Sequence, residues 1–147
     1  MNKSIIYFYT QNQEWAEFSN FAPFGIEMNG LWWSTVEHYY QAMKFEDEAY
    51  SDKIRKSKTP KEAIGLGKNR NIRIKDNWDE IRNNIMFEAV LKKFQTHLKL
   101  KDLLLSTGDA EIAENSPYDY YWGIGADGSG QNMLGKILME VREKLKE

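Results

Sequence analysis

The chain has 147 residues, enough for one domain whose core needs no metal or disulfide to hold it. It has no cysteine, which excludes disulfides, thiolate metal sites and a cysteine nucleophile and suits a reducing compartment. Its 20 basic and 22 acidic residues leave a net charge of −2, so no global field favours nucleic acid or a membrane surface. The apolar runs are too short for a secretory leader or a bilayer span, and the expected setting is the cytoplasm. Aromatic residues make up 14%, including five Trp and eight Tyr. Most are expected as large core side chains, and those flanked by polar residues are the ones to follow.

In chain order, Ile5–Thr10 (IIYFYT) is β-branched and aromatic and reads as a buried strand. Asn29-Gly30 between apolar residues of Ile26–Trp33 is a hairpin signal. Ser34, three residues before Glu37, predicts a capped helix over Thr35–Phe45. Thr59-Pro60-Lys61-Glu62 is a second capping box, and Gly65 or Gly67 would end its helix. Asp76 or Asn77 can cap the longest helix, Trp78–His97, with Ile81, Ile85, Val90, Leu91 and Phe94 on its apolar face. Leu98–Ser106 reads as a short helix stopped by Gly108, and Tyr118–Gly130 as a Gly- and Asp-rich loop. Asn132–Lys146 closes as an amphipathic helix with Leu134, Leu138, Val141 and Leu145 inward. The sum is an α+β fold, a single helix-rich domain over residues 1–147 with a small β-sheet.

The segment Trp33–Phe45 (WSTVEHYYQAMKF) carries the densest chemistry. Glu37, Gln41 and Lys44 recur at helical spacing, so an acid, an amide and an amine share one stripe among aromatics. Glu37 has two readings: it closes the Ser34 capping box, or it faces a pocket with Lys44. A lysine facing such a pocket would be desolvated, which lowers its pKa and makes it nucleophilic.

Other motifs carry less. Gly123–Gly128 fits G-x-G-x-x-G literally, but only one helix of chain remains to follow it, where a dinucleotide fold needs a βαβ unit. Gly130–Lys136 mimics a phosphate-binding loop, with Ile137 where a Ser or Thr should hold magnesium. The same glycine loop, feeding a helix N-terminus, can still present backbone N–H groups to a phosphate or ribose. His38 and His97 form no metal-ligand spacing, and no G-x-S-x-G elbow is present. The basic run Lys53–Lys61, with Arg70 and Arg73, either attracts a phosphate or is solvated surface.

Phe18-Ser19-Asn20-Phe21, the stretch from Glu37 to Phe45, Asn77-Trp78, Lys93-Phe94, Asp119–Gly125 and Gly130–Gly135 follow one another in an order that resembles the NADAR family, the YbiA-like N-glycosidases. The likeness runs from about Ile6 to Leu145. It implies a YbiA-like α+β fold and hydrolysis of N-glycosidic bonds, with no cofactor and no metal. The implied partner is a small phosphorylated ribosyl substrate, a ribosylamino-pyrimidine phosphate from early riboflavin synthesis, with release of ribose 5-phosphate. The alternatives are an ADP-ribosyl-guanine hydrolase, in which case nucleic acid is a partner, and a non-catalytic ADP-ribose or nucleotide module. The neutral charge balance and the lack of a basic extension lean towards the small metabolite. Glu37, Lys44 and Asp119 are the candidate catalytic residues. Asn20, Gln41, Trp78, Trp122 and Gly123 are the candidate substrate contacts, and Asp79 is a weaker match. Oligomeric state is not legible.

Two routes suit these residues. A carboxylate, Glu37 or Asp119, can stabilise charge at the anomeric carbon or activate water. Lys44 can instead exchange with the leaving amine of a ring-opened ribosylamine through a Schiff base.

Overall fold

The structure, a computed structural model, describes residues 4–9 and 14–147. The chain divides into two compact units, Met1–Ala22 with His97–Glu147, and Pro23–Thr96.

In the first unit, β1 (Ile5–Phe8) pairs in parallel with β4 (Glu111–Glu114), Ile5 opposite Glu111 and Phe8 opposite Glu114. β1 is half-buried rather than buried: Phe8 faces the core while Ile5 and Tyr7 are exposed. A strand paired on one side in a two-stranded sheet shows alternate side chains to solvent. Thr10, expected at its end, lies outside the described residues. A 3-10 turn, Ala16–Phe18, places Phe18 edge-on to Phe8. α5 (Leu98–Ser106) and α6 (Met133–Leu145) complete the unit. Gly108 after α5 has a positive φ, as a stop requires. Leu134, Leu138, Val141 and Leu145 all point inward, as their spacing predicts. Asn132 fastens α6 to β4: its Oδ1 accepts from Glu114 N at 3.0 Å and its Nδ2 donates to Ile112 O at 2.9 Å.

In the second unit, β2 (Ile26–Met28) and β3 (Leu31–Trp33) form the expected hairpin. Asn29 and Gly30 both take positive φ, 57° and 78°, which the tight turn demands and Asn and Gly tolerate. α1 (Val36–Ala42), α2 (Glu48–Arg55), α3 (Pro60–Gly67) and α4 (Trp78–Thr96) follow. Thr59 caps α3 by accepting from Glu62 N, as its sequence predicts. α2 is not among the expected elements; Asp47 caps it by accepting from Tyr50 N at 3.0 Å. Asn77 precedes α4 and its carbonyl accepts from Ile81 N, whereas Asp76 pairs with Arg73. The buried face of α4 is Trp78, Met86, Ala89, Val90, Lys93 and Phe94. Ile81, Ile85 and Leu91 lie only at its half-buried margin. The core gathers around Ile26, Trp33, Val36, Tyr39, Ile54, Met86 and Phe94, each contributing about 1.5–3 kcal/mol by burial.

The fold class is α+β and helix-rich, with two two-stranded pairs in place of one small sheet. Among the described residues no helix is long and apolar enough to cross a membrane.

Candidate active site

α1 begins one residue later than its sequence suggests. Thr35, not Ser34, is the N-cap: its extended backbone places Oγ1 to accept from His38 N at 3.1 Å. The third helical residue is therefore His38, not Glu37, and the Ser34–Glu37 capping box does not form. Thr35 is the better cap because its hydroxyl also meets His38 Nδ1 at 2.8 Å. The shift leaves Glu37 on the second helical position, where its carboxylate serves another partner. Glu37 Oε2 accepts from Gln41 Nε2 at 2.7 Å, and both residues are buried. The two lie four residues apart, one turn along the helix.

Lys44 is not on the helix. α1 ends at Ala42, and a tighter turn carries Lys44 N to Gln41 O and Phe45 N to Ala42 O, both at 3.3 Å. The turn is tied down from the far side: Lys75 N donates to Lys44 O at 2.8 Å, and Phe45 bridges Ile74. The Lys44 ammonium lies 5.9 Å from the centroid of the Tyr40 ring. Burial lowers the Lys44 pKa below the usual lysine value. The nearby Glu37 carboxylate opposes that shift, while Arg70, Lys68 and Arg82 reinforce it. Lys44 thus feels the Glu37 charge from a turn beyond the end of α1, not from a continuous helical stripe.

Three further elements wall this cluster. Trp78, at the start of α4, is buried with its ring centroid 5.1 Å from that of Tyr40. Gly67, the last residue of α3, passes so close to Gln41 that a Cβ there would come within 2.0 Å of Oε1. Arg70 turns back to donate to Gly67 O at 2.8 Å. Asp79 is exposed, 4.0 Å from Arg82. Tyr40, Gly67, Lys68 and Arg82 were not singled out by sequence reasoning. Tyr40 was within reach, four residues before Lys44, but no local spacing links Gly67, Lys68 and Arg82 to it, because they arrive with α3 and α4 by tertiary packing. The basic run from Lys53 behaves as helix surface at Arg55 and Lys56, which both pair with Asp52. Arg73 pairs with Asp76.

The first unit holds the other candidates. Asp119 Oδ1 accepts from Tyr121 N at 2.9 Å and from Trp122 N at 2.7 Å, so one oxygen organises the loop. Trp122 is half-buried and edge-on to Tyr121, centroids 4.9 Å apart. Gly123 is buried and its carbonyl accepts from Asn132 N. Asn20 is buried in the turn after Ala16–Phe18. The structure therefore brings together Glu37, Gln41, Lys44 and Trp78 in one unit, and Asp119, Trp122 and Gly123 in the other.

At the start of α6 the backbone donors are already engaged. The N–H groups of Asn132, Met133 and Leu134 donate to Gly123 O, Tyr121 O and Trp122 O. The start of α6 is thus capped by the chain's own loop, which uses the donors a phosphate would need. Among the described residues no group of three or more His, Asp and Glu converges as a metal site.

The family model described as "NADAR domain" matches residues 7–146. The N-glycosidase Npun_R5314 of Nostoc punctiforme is 48% identical over 144 residues, covering 96% of this chain and 92% of the relative. The N-glycosidase YbiA of Escherichia coli is 41% identical over 145 residues, covering 99% of this chain and 91% of the relative. The NMR structure of E. coli YbiA matches with a TM-score of 0.92 over 99% of this chain and 87% of that one. The riboflavin biosynthesis protein VVA0006 of Vibrio vulnificus is 39% identical over 97% of this chain, which spans 39% of that longer protein. On the family match and the full-length similarity, the chain belongs to the NADAR domain family.

Proposed function

We propose that this protein is an N-glycosidase, a hydrolase that cleaves the C–N glycosidic bond of ribosylamino-pyrimidine phosphates and releases ribose 5-phosphate. The N-glycosidase part follows from membership of a family whose relatives at 41% and 48% identity carry that name. A riboflavin-named relative supports the substrate class. The family match runs unbroken through residues 7–146, which supports reading the chain as a single domain of this family.

The observation that carries the chemistry is the half-buried Lys44 amine, whose charge is opposed by burial and by Arg70, Lys68 and Arg82 and favoured by Glu37. Burial and like charge both favour the neutral, nucleophilic amine. A ribosylamine opens reversibly to an iminium at C1. The Lys44 amine adds to C1, and Glu37 moves a proton from the Lys44 nitrogen to the departing nitrogen. The aminopyrimidine leaves as a neutral amine, and the C1–Lys44 iminium remains. Water then adds to C1 and loses a proton to Glu37, which returns it to the Lys44 nitrogen; the hydroxyl gives up its proton to Glu37 as the carbonyl forms and the C1–Lys44 bond breaks. The products are the ribose 5-phosphate aldehyde and the free lysine. Lys68 and Arg70 supply the positive charge for the 5-phosphate. Trp78, packed against Tyr40, serves as a face for the flat base.

Incubation with 5-amino-6-ribosylamino-uracil 5′-phosphate and borohydride tests the proposal. It should release ribose 5-phosphate and leave a reduced sugar adduct on the peptide bearing Lys44. Absence of release sinks the substrate assignment. Release without an adduct, in a protein that Lys44→Ala inactivates, sinks the covalent route alone.

A further inference from the structure

Gln41 is an unusual residue to bury. Its Nε2 donates to Glu37 Oε2 at 2.7 Å, while its Oε1 is buried with no hydrogen-bond partner. The amide orientation is settled chemically, because an ionised carboxylate accepts only, so the NH₂ end must face it. The Oε1 end is pressed against Gly67, where a Cβ would approach to 2.0 Å. An orphaned buried acceptor is destabilising, and an apolar side chain of the same shape would avoid that cost. The orphaned end therefore adds no stability, and what the amide does here is its bond to Glu37.

We propose that Gln41, wedged against Gly67, is a positioning residue that fixes the Glu37 carboxylate in the orientation facing Lys44. The inference rests on the N-glycosidase reading above. It gives Gln41 a role through Glu37 in place of a direct substrate contact: its donor is taken by the carboxylate and its acceptor is covered by Gly67. Gly67 enters as an indirect partner, since α3 can approach α1 this closely only without a Cβ. The other charged groups at this cluster are Lys44 in the turn after α1, Lys68 and Arg70 after α3, and Arg82 of α4.

Three variants test it. Gln41→Met keeps the shape and removes both polar ends. It removes the orphaned acceptor and also a donor to the buried Glu37 carboxylate, two opposed effects on Tm, so circular dichroism and a cooperative melt check that it folds. Its kcat should fall about 10- to 100-fold with KM within about threefold, the signature of a misplaced catalytic group. Gly67→Ala should reproduce the loss by pushing the amide off Glu37. Gly65→Ala on the same helix, where an added Cβ meets nothing within 4 Å, should retain the parent kcat. A readout that needs no turnover accompanies these: carbon-13 NMR titration of the Glu37 carboxyl. Losing the Gln41 donor should move that titration to higher pH in Gln41→Met. An unchanged titration overturns the inference whatever the activity. A raised KM at constant kcat also overturns it, by making Gln41 a substrate contact. A shifted titration in a protein whose parent releases no sugar phosphate upholds the positioning and sinks the N-glycosidase reading instead.

Discussion

The Thr35 hydroxyl and the His38 imidazole lie 2.8 Å apart at the first turn of α1, with Oγ1 also accepting from His38 N. On the far side of the ring, Nε2 is 3.0 Å from Ser57 O. A carbonyl only accepts, so Nε2 carries the proton and Nδ1 is the acceptor for the Thr35 hydroxyl. The buried ring is thus held neutral, and burial lowers its pKa below 6.5. The backbone bond to Ser57 and the charge of Glu62 oppose the shift in part.

A pH dependence of stability follows. With the folded pKa below the unfolded one, the unfolded chain binds the proton more readily. The His38 contribution is complete above pH 6.5 and is lost as pH falls below that value towards the folded pKa. Thermal melts should therefore drop between pH 7.5 and 5.5 more steeply in the parent than in His38→Gln. Equal slopes would refute the assignment.

Thr35 acts as both cap and partner to that ring. Thr35→Val keeps the branched shape but removes the acceptor for His38 N and the donor to Nδ1. The cap alone is worth about 1 kcal/mol. Thr35→Ser should retain most of the stability, while Ser34→Ala, beside the cap but outside it, should cost far less than Thr35→Val. Urea denaturation of the three variants gives the comparison.

The one-residue error at this cap shows where sequence reasoning stops. Ser34 and Thr35 are both competent caps, and the choice falls to a tertiary partner, the His38 ring. The hairpin at Asn29-Gly30, the Thr59 cap and the inward face of α6 were legible because each depends on a few neighbouring residues. β4 was not, because EIAE gains its strand character from β1, about a hundred residues earlier in the chain. α2 was hidden by a basic run that drew attention as an anion site, although Asp47 is an ordinary cap. At the candidate site, Glu37, Gln41 and Lys44 were visible from local spacing and from the resemblance. Of the three cations around Lys44, Arg70 was noticed only as a phosphate candidate and Lys68 and Arg82 not at all, because none lies at a local spacing from Lys44.

Asp119 separates a structural from a catalytic carboxylate. Its Oδ1 accepts from two backbone N–H groups, a task an Asn side chain can continue. Asp119→Asn should keep the loop and lower kcat by less than about tenfold, whereas Glu37→Gln should lower it by about 10²–10⁴, the range for a lost proton-transfer group. Asp119→Ala should in addition destabilise the fold by about 1–3 kcal/mol, by orphaning both donors. A kcat for Asp119→Asn as low as that of Glu37→Gln would move the catalytic carboxylate to Asp119.

The cations around Lys44 make the last prediction, and its sign is definite. A covalent route needs the neutral amine, so kcat/KM should rise with pH through the lowered Lys44 pKa. Arg70 is the first of the three positive groups that reinforce that lowering. Arg70→Gln removes one repulsion, raises the Lys44 pKa, and should displace the rising limb to higher pH. It should also raise KM for the phosphorylated substrate far more than for its dephosphorylated counterpart, because Arg70 is assigned to the phosphate. Glu37→Gln acts in the opposite sense on the limb, because it removes the anion that holds the Lys44 pKa up. Lys44→Arg keeps the charge but cannot form the iminium, so it should be inactive at every pH. pH–rate profiles of the four proteins decide the matter: limbs that fail to move apart in these directions would mean that Lys44 does not titrate in the rate-limiting step.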